Sequence, residues 1–281
     1  MRTLTIRRWR EPSILPGFGL SLGLALAWLA AIVLIPLSAL VIRPWELGVD
    51  GVWRTLTDPR VLASLRLSFG VSAAAALVNA PLGLLVAWVL VRYRFPGRRL
   101  LDACIDLPFA LPTAVAGIAL TAIYAPTGPL GGLFAKVGIK TAYSPIGIFI
   151  ALLFIGLPFV VRGVQPVLQD LDREVEEAAE TLGASNFQRV TQVVLPAVMP
   201  ALLTGVGLAF ARAVGEYGSV IFIAGNMPGV SEIAPLLIVI KLEQYDYAGA
   251  AAVGLAMLAI SFGALLVINL IQTRLSQRGA A

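Results

Sequence analysis

Histidine is absent from the 281 residues, and cysteine occurs once, at Cys104. The usual transition-metal sites need several such ligands, so no metal is expected on this chain. Histidine-based general acid–base schemes are excluded with them. A lone cysteine cannot close an internal disulfide, and Cys104 reads as a small packing residue beside an apolar run. No G-x-x-x-x-G-K-[ST] segment occurs either, so nucleotide phosphates cannot be cradled by that route. Charge itself is scarce. Only 13% of residues are charged, against 58% hydrophobic, and the mean hydropathy is +0.88. A soluble domain of this size needs far more charged surface.

What is present falls into long blocks. Six intervals carry no charged residue: 12–42, 67–91, 107–135, 141–161, 190–211 and 247–273. Each exceeds the ~20 residues that cross about 30 Å of hydrocarbon. Trimming them at glycines and prolines predicts spans over 17–41, 67–91, 107–125, 144–164, 197–223 and 248–272. The class is thus an all-α integral membrane protein with six transmembrane helices, both termini on one side. Thirteen Lys and Arg residues lie on that side, including Arg92, Arg94, Arg98 and Arg99, against seven on the other, with Arg212 inside a span. The bias predicts cytoplasmic termini. The first apolar block is about twice the length of a signal-peptide core and is expected to be an uncleaved span. The organisation predicted is a cytoplasmic tail 1–16, a membrane domain 17–272 and a cytoplasmic tail 273–281.

One loop, 165–196, is rich in carboxylates. Asp170 or Asp172 can cap a helix whose first turn holds Glu174 and Glu176. Leu171, Val175, Ala178 or Ala179, and Leu182 recur at helical spacing as one apolar stripe. Gly183 supplies a stop, and Ser185 with Gln188 forms a capping box for a second helix. Pro196 suits the first turn of the fifth span. A solvated connector would need neither the stripe nor the small Ala178–Ala179 surface, so the pattern predicts a two-helix handle for a cytosolic partner.

Glu177-Ala178-Ala179, three residues, Gly183, nine residues, then Val193-x-Leu195-Pro196 resembles the EAA motif of ABC-importer inner-membrane permeases. Val193 stands where isoleucine is frequent. The stretches 92–120 and 210–226 are similar to sulfate/thiosulfate and molybdate permeases. Those over 158–184 and 241–252 are most similar to the T-type permeases of the sulfate/thiosulfate family. The resemblance implies a type I ABC-importer permease architecture in a bacterial inner membrane. It also implies docking of an ATPase on Glu177, Ala178, Ala179 and Gly183, with Val193, Leu195 and Pro196 fixing the re-entry. Implied partners are a cytosolic ATP-binding subunit dimer, a second permease (W type, or a second copy) and an extracytoplasmic sulfate-binding protein. ATP and Mg would belong to the ATPase, with no cofactor on this chain.

The candidate translocation path comprises Arg212, Glu216, Tyr217, Ser219 and Asn79. Arg212 and Glu216 stand at i, i+4, on one face of the fifth span. They read as an oxyanion-attracting pair or as a structural ion pair, and the second reading is preferred because a conduit should not hold its cargo tightly. The span 197–223 is overlong. Tilt accommodates the length, and a break at Gly215–Gly218 is the alternative. Pro112 either kinks the third span or sits in its first turn, and Asn79 reads as packing glue or as pore lining. A molybdate permease, an ion-coupled secondary transporter and a membrane enzyme are the competing classes. Glu216 alone, with no duplicated halves, disfavours the second, and the missing nucleophile constellation disfavours the third.

Overall fold

The computed structural model describes residues 18–279, with side chains for all except Arg173 and 274–279. The expected tail 1–16 lies outside the described residues, and so do residues 280–281. A backbone in hydrocarbon must satisfy its polar groups internally. The apolar blocks accordingly form helices.

Helix α1, Phe18–Thr57, is longer than the expected span 17–41 and departs twice from regular α geometry. Pro36 lacks an N–H and its ring would press on the carbonyl of Ile32. The chain absorbs this by widening to i→i+5 geometry over Ala30–Leu34, one residue short of the proline. A tight turn over Arg43–Leu47 and Gly48 at φ +67° then redirect the last ten residues. From Phe18 to Leu34 no residue is buried.

Helix α2, Pro59–Arg92, starts eight residues before the predicted 67. Asp58 caps it, its Oδ1 accepting from the N–H groups of Arg60 (2.8 Å) and Val61 (3.4 Å). The early start moves Arg66 from a presumed loop onto the third turn of the span.

The third expected span, 107–125, is not continuous. A short α3 (Arg98–Ile105) leads into α4 (Leu107–Ala110), and α5 follows over Thr113–Tyr124. Pro108 begins α4 as expected. Leu111 and Pro112 between them are extended, with ψ of 135° and 133°. A residue before proline is driven out of the α region, which accounts for the break. Five described helices are long and apolar enough to cross a membrane, and the twelve-residue α5 occupies the place of the sixth.

After α6 (Gly131–Lys136), helix α7 (Pro145–Asp170) runs six residues beyond its predicted end. Helix α8, Arg173–Thr181, forms the loop, and α9 runs from Asn186 to Val214. The predicted fifth span 197–223 is broken. It stops at Val214 and resumes only as α10, Val220–Ile223. The apolar pattern held no sign of α11, Ala234–Glu243, which precedes α12, Tyr247–Gly279. The expected tail 273–281 continues this last helix up to Gly279.

Helices α2, α7 and α9 make the centre of the bundle, where Leu90, Val160, Val161, Val164, Leu168 and Val198 are fully buried. Gly205 lets α9 approach the backbone of Val160, since a Cβ there would meet its Cα at 2.9 Å. Close approach through small residues is the means of helix association in lipid.

Candidate functional site

Two places in the fold carry polar groups that the packing of apolar helices does not require. The first is the loop around α8. Asp172 occupies the N-cap position with extended backbone, yet its side chain makes no capping hydrogen bond. The other end follows the sequence closely. Gly183 adopts φ +85°, its N–H donates to the Glu180 carbonyl (2.9 Å) and the Ala184 N–H to that of Ala179 (3.0 Å). This paired closure satisfies carbonyls a helix end leaves free. The capping box is complete: the Ser185 N–H donates to Gln188 Oε1 (2.8 Å) and the Gln188 N–H to Ser185 Oγ (3.3 Å).

The second helix of this handle is not a separate element. It is fused with the span as the start of α9, the backbone widening over Arg189–Val194 just ahead of Pro196. The same proline geometry that widens α1 acts here. Val194, not Val193, is the residue buried in the core, while Leu195 is half-buried and Pro196 exposed. Arg189 ties the two arms through Glu180 (2.6 Å). A second tie joins Glu176 to Arg92 at the end of α2, where the guanidinium lies 5.6 Å from the Trp88 ring centre.

The stripe on α8 splits. Leu171 packs against the core, whereas Val175, Ala178 and Leu182 face outward. Leu182 is 88% exposed and Phe187 75%. Glu177 and Gly183 are exposed beside them, Ala179 is half-buried, and Glu177 makes no ion pair among the described residues. Beneath the handle lies an apolar groove of about 580 Å³ between α2 and α9, with Pro81, Leu85, Trp88, Tyr93, Val190 and Val198 on its walls.

The second place is the crossing of two interrupted helices. Gly218 sits against Thr113, and Gly117 against the backbone of Ser219, so closely that a Cβ on either glycine would overlap its neighbour. The break after α9 thus packs on the start of α5, beside the break at Leu111–Pro112. Arg212 Nη1 lies 2.5 Å from Glu216 Oε2, with Arg212 36% exposed and Glu216 only 2%. The remaining carboxylate oxygen, Oε1, accepts from the Ser219 N–H (2.8 Å) and hydroxyl (2.9 Å). A buried charge tolerates its site only when so paired. Glu216 therefore also caps the chain as it re-enters helix α10. Tyr217 is half-buried next to it, and its carbonyl accepts from the Ile221 N–H (3.0 Å).

Asn79 does not join this group. It is buried, and its Nδ2 donates to the Leu153 carbonyl across α2 and α7 (3.1 Å), an interhelical contact of the kind that packing glue makes. Several polar ties escaped the sequence reading. Arg162 grips Asp106 through two bonds (2.8 and 2.6 Å) and Asp102 through a third (2.7 Å), fastening α7 to the α3–α4 turn. At the far end of the bundle, Arg60 and buried Glu232 form a bidentate pair at 2.7 Å per bond. Among the arginines of α2, α7 and α9, only Arg66 has no ion pair among the described residues. Its charge set the start of the predicted span at 67, one residue after it, which left it in the loop.

Residues 79–279 match the family described as "Binding-protein-dependent transport system inner membrane component". The sulfate transport system permease protein CysT of Escherichia coli (strain K12) is 48% identical over 265 residues, covering 94% of this chain and 96% of that protein. Its counterpart in a Synechocystis strain is 49% identical over 245 residues, covering 87% and 86%. Among solved structures, a bacterial alginate ABC transporter in complex with alginate pentasaccharide-bound periplasmic protein superposes with a TM-score of 0.74. It covers 90% of this chain and 93% of its own at 16% identity, a likeness of fold alone.

Proposed function

Because the chain belongs to the family of binding-protein-dependent transport system inner membrane components, we propose that it is the permease subunit of an ATP-driven sulfate importer. It is a multi-pass inner-membrane protein and a transport subunit rather than an enzyme. In the proposed complex it forms half of the pathway. A W-type permease forms the other half, an extracytoplasmic binding protein delivers sulfate or thiosulfate, and an ATPase dimer supplies the work with ATP and Mg on its own sites.

The observation that carries this reading is the continuity of the handle with α9. An exposed apolar face of Val175, Ala178, Leu182 and Phe187 offers a dry docking surface. Its turn is fixed by Gly183, by the Ser185–Gln188 box and by the Arg189–Glu180 and Arg92–Glu176 ties. Force on α8 therefore reaches α9 through backbone rather than through a loose linker. At the other end of α9 lies the Arg212–Glu216–Ser219 break, where a small rotation would change what the crossing exposes. Arg212 acts there as a partly exposed cation already balanced by Glu216, which suits passage of a dianion over weak contacts. Sulfate as the cargo rests on the sequence relatives.

Replacing Gly183 by valine tests the coupling. A β-branched residue at φ +85° costs about 1–2 kcal/mol or more and distorts the turn. Open space surrounds that glycine, so the bundle itself has no reason to fail. ATPase retention on membranes and labelled sulfate uptake are expected to fall together, about tenfold or more. Uptake that survives loss of the ATPase, or that follows a proton gradient after ATP depletion, would overturn the proposal. Competition by thiosulfate, molybdate and phosphate separates the oxyanions.

A further inference from the structure

The turn between α2 and α3 holds an unbalanced concentration of positive charge. Arg94, Phe95, Gly97, Arg98, Arg99 and Asp102 line a cleft of about 560 Å³. None of the three arginines makes an ion pair among the described residues. The single acid in the lining, Asp102, is already engaged by Arg162 at 2.7 Å. Four arginines of the bundle are balanced, Arg60 by Glu232, Arg92 by Glu176, Arg162 by two aspartates and Arg212 by Glu216, and the other two without an ion pair, Arg54 and Arg66, do not share a cleft with a second such arginine among the described residues. Gly97, at φ +84°, precedes α3 and offers no capping side chain, so the first-turn N–H groups of an eight-residue helix add to the same field. The cleft therefore has the makings of an anion site.

The residues around the arginines narrow the anion. Leu100 is 70% exposed, and Leu101, Leu107 and Phe109 beyond it are exposed as well. Tyr93, next to Arg94 in the chain, is exposed as well. A cationic patch bordered by open leucines and aromatics is the pattern of an element lying at headgroup depth. A free oxyanion would use the arginines and leave the apolar band without a partner. A phospholipid uses both.

We propose that this elbow binds an anionic phospholipid of the leaflet at the handle end of the bundle. The phosphate sits among Arg94, Arg98 and Arg99, and the acyl chains run along Leu100, Leu101 and Leu107. Guanidinium groups pair with phosphate in bidentate fashion, which gives such a site more hold than diffuse surface attraction. The site adjoins Arg92, the α2 anchor of the handle, so lipid occupancy steadies the base on which the handle rests. The inference does not depend on which solute the bundle carries.

The test uses the assembled complex taken from membranes in a lipid-retaining polymer. Phosphatidylglycerol and phosphatidylethanolamine that remain bound are counted by mass spectrometry. The triple variant Arg94→Gln, Arg98→Gln, Arg99→Gln is expected to lose phosphatidylglycerol by about fivefold while keeping its phosphatidylethanolamine. Arg54→Gln, an exposed arginine without an ion pair at the other end of the bundle, should leave the ratio unchanged. If the triple variant inserts poorly, Arg99→Gln alone should give an intermediate loss, and replacement of all three by lysine, which keeps the charge and loses the bidentate fork, should restore only part of the binding. Unchanged lipid ratios in the variants would overturn the proposal. So would displacement of phosphatidylglycerol from the unaltered complex by millimolar inorganic phosphate or sulfate, which would assign the cleft to a soluble anion. Loss of the ATPase with lipid unchanged would assign it instead to a protein partner.

Discussion

The handle and the crossing both interrupt apolar helices with polar residues, yet they are built by opposite means. In the handle, the contacts that shape the turn close within about ten residues: Gly183 with Glu180, Ser185 with Gln188, Arg189 with Glu180, and the Arg92–Glu176 pair alone among the ties named above reaches back to the bundle. Its apolar side chains are left facing out. At the crossing, the polar part is equally local, Arg212 with Glu216 and Glu216 with Ser219. The backbone there, however, is held by residues about a hundred positions away, Thr113 against Gly218 and Gly117 against Ser219. One region carries its own shape and waits for a partner. The other has its shape imposed by the bundle.

That contrast can be broken most sharply at two small residues. Gly117→Leu forces a side chain into the Ser219 backbone, which has no room to yield. Overpacking of this kind costs about 3 kcal/mol or more, and little heat-stable protein should be recovered from membranes. Ala178→Leu adds nearly as much bulk, three carbons against four, on an exposed face of α8. Stability should change by no more than about 0.5 kcal/mol, while ATPase retention weakens several-fold. Equal thermal stability of the two variants would erase the distinction between the regions.

The next effect separates structure from transport within the crossing. Glu216→Gln leaves Arg212 without its counter-charge. Breaking a fully buried pair costs about 3–5 kcal/mol, and the partial exposure of Arg212 brings the expectation to about 2 kcal/mol. The double variant Arg212→Gln, Glu216→Gln should regain much of the melting temperature in detergent. If uptake returns with it, the pair is structural. If stability returns and uptake does not, Arg212 meets the cargo.

The same contrast governs what could be read from the sequence. Gly183 and the Ser185–Gln188 box are local instructions, and the chain obeys them; Pro196, expected in the first turn of a span, instead lies inside α9, where the backbone widens ahead of it. Pro112 is local as well, but its outcome depended on whether a helix would start before it; α4 does, so the proline became a break. Gly215 and Gly218 permit either a tilted helix or an interruption, and only the fit against Thr113 decides. Asn79 is equally compatible in sequence with a pore or a helix seam, and its partner, the Leu153 carbonyl, lies 74 positions away. Helix α11 went unseen because Glu232 and Lys241 leave an apolar run too short to cross a bilayer. Arg66 was misplaced because a single charge does not end a helix whose backbone bonds are already closed by Asp58 upstream.

The mildest effect belongs to the loop before α12, which combines the two styles. Lys241 Nζ lies 2.8 Å from Asp246 Oδ2, and Asp246 Oδ1 accepts from the Gly249 N–H at 2.9 Å. The pair is local like those of the handle, yet it fixes the start of a spanning helix. The hydrogen bond from Lys241 is the chief reason the Asp246 carboxyl is held below its usual range, with the Gly249 N–H adding to it against the cost of burial. A carboxyl that is more acidic folded than unfolded stabilises the fold fully above its unfolded value, near 4. That contribution drains away as the pH falls through the lower folded value. The stability difference between the unaltered protein and Asp246→Asn should therefore be constant from neutral pH down to about 5 and shrink below about 4. Asp246 is more than a third exposed, so the difference is small and screened by salt. A gap that instead widened on acidification would mean that the carboxyl is less acidic folded than unfolded, and that Lys241 does not govern it.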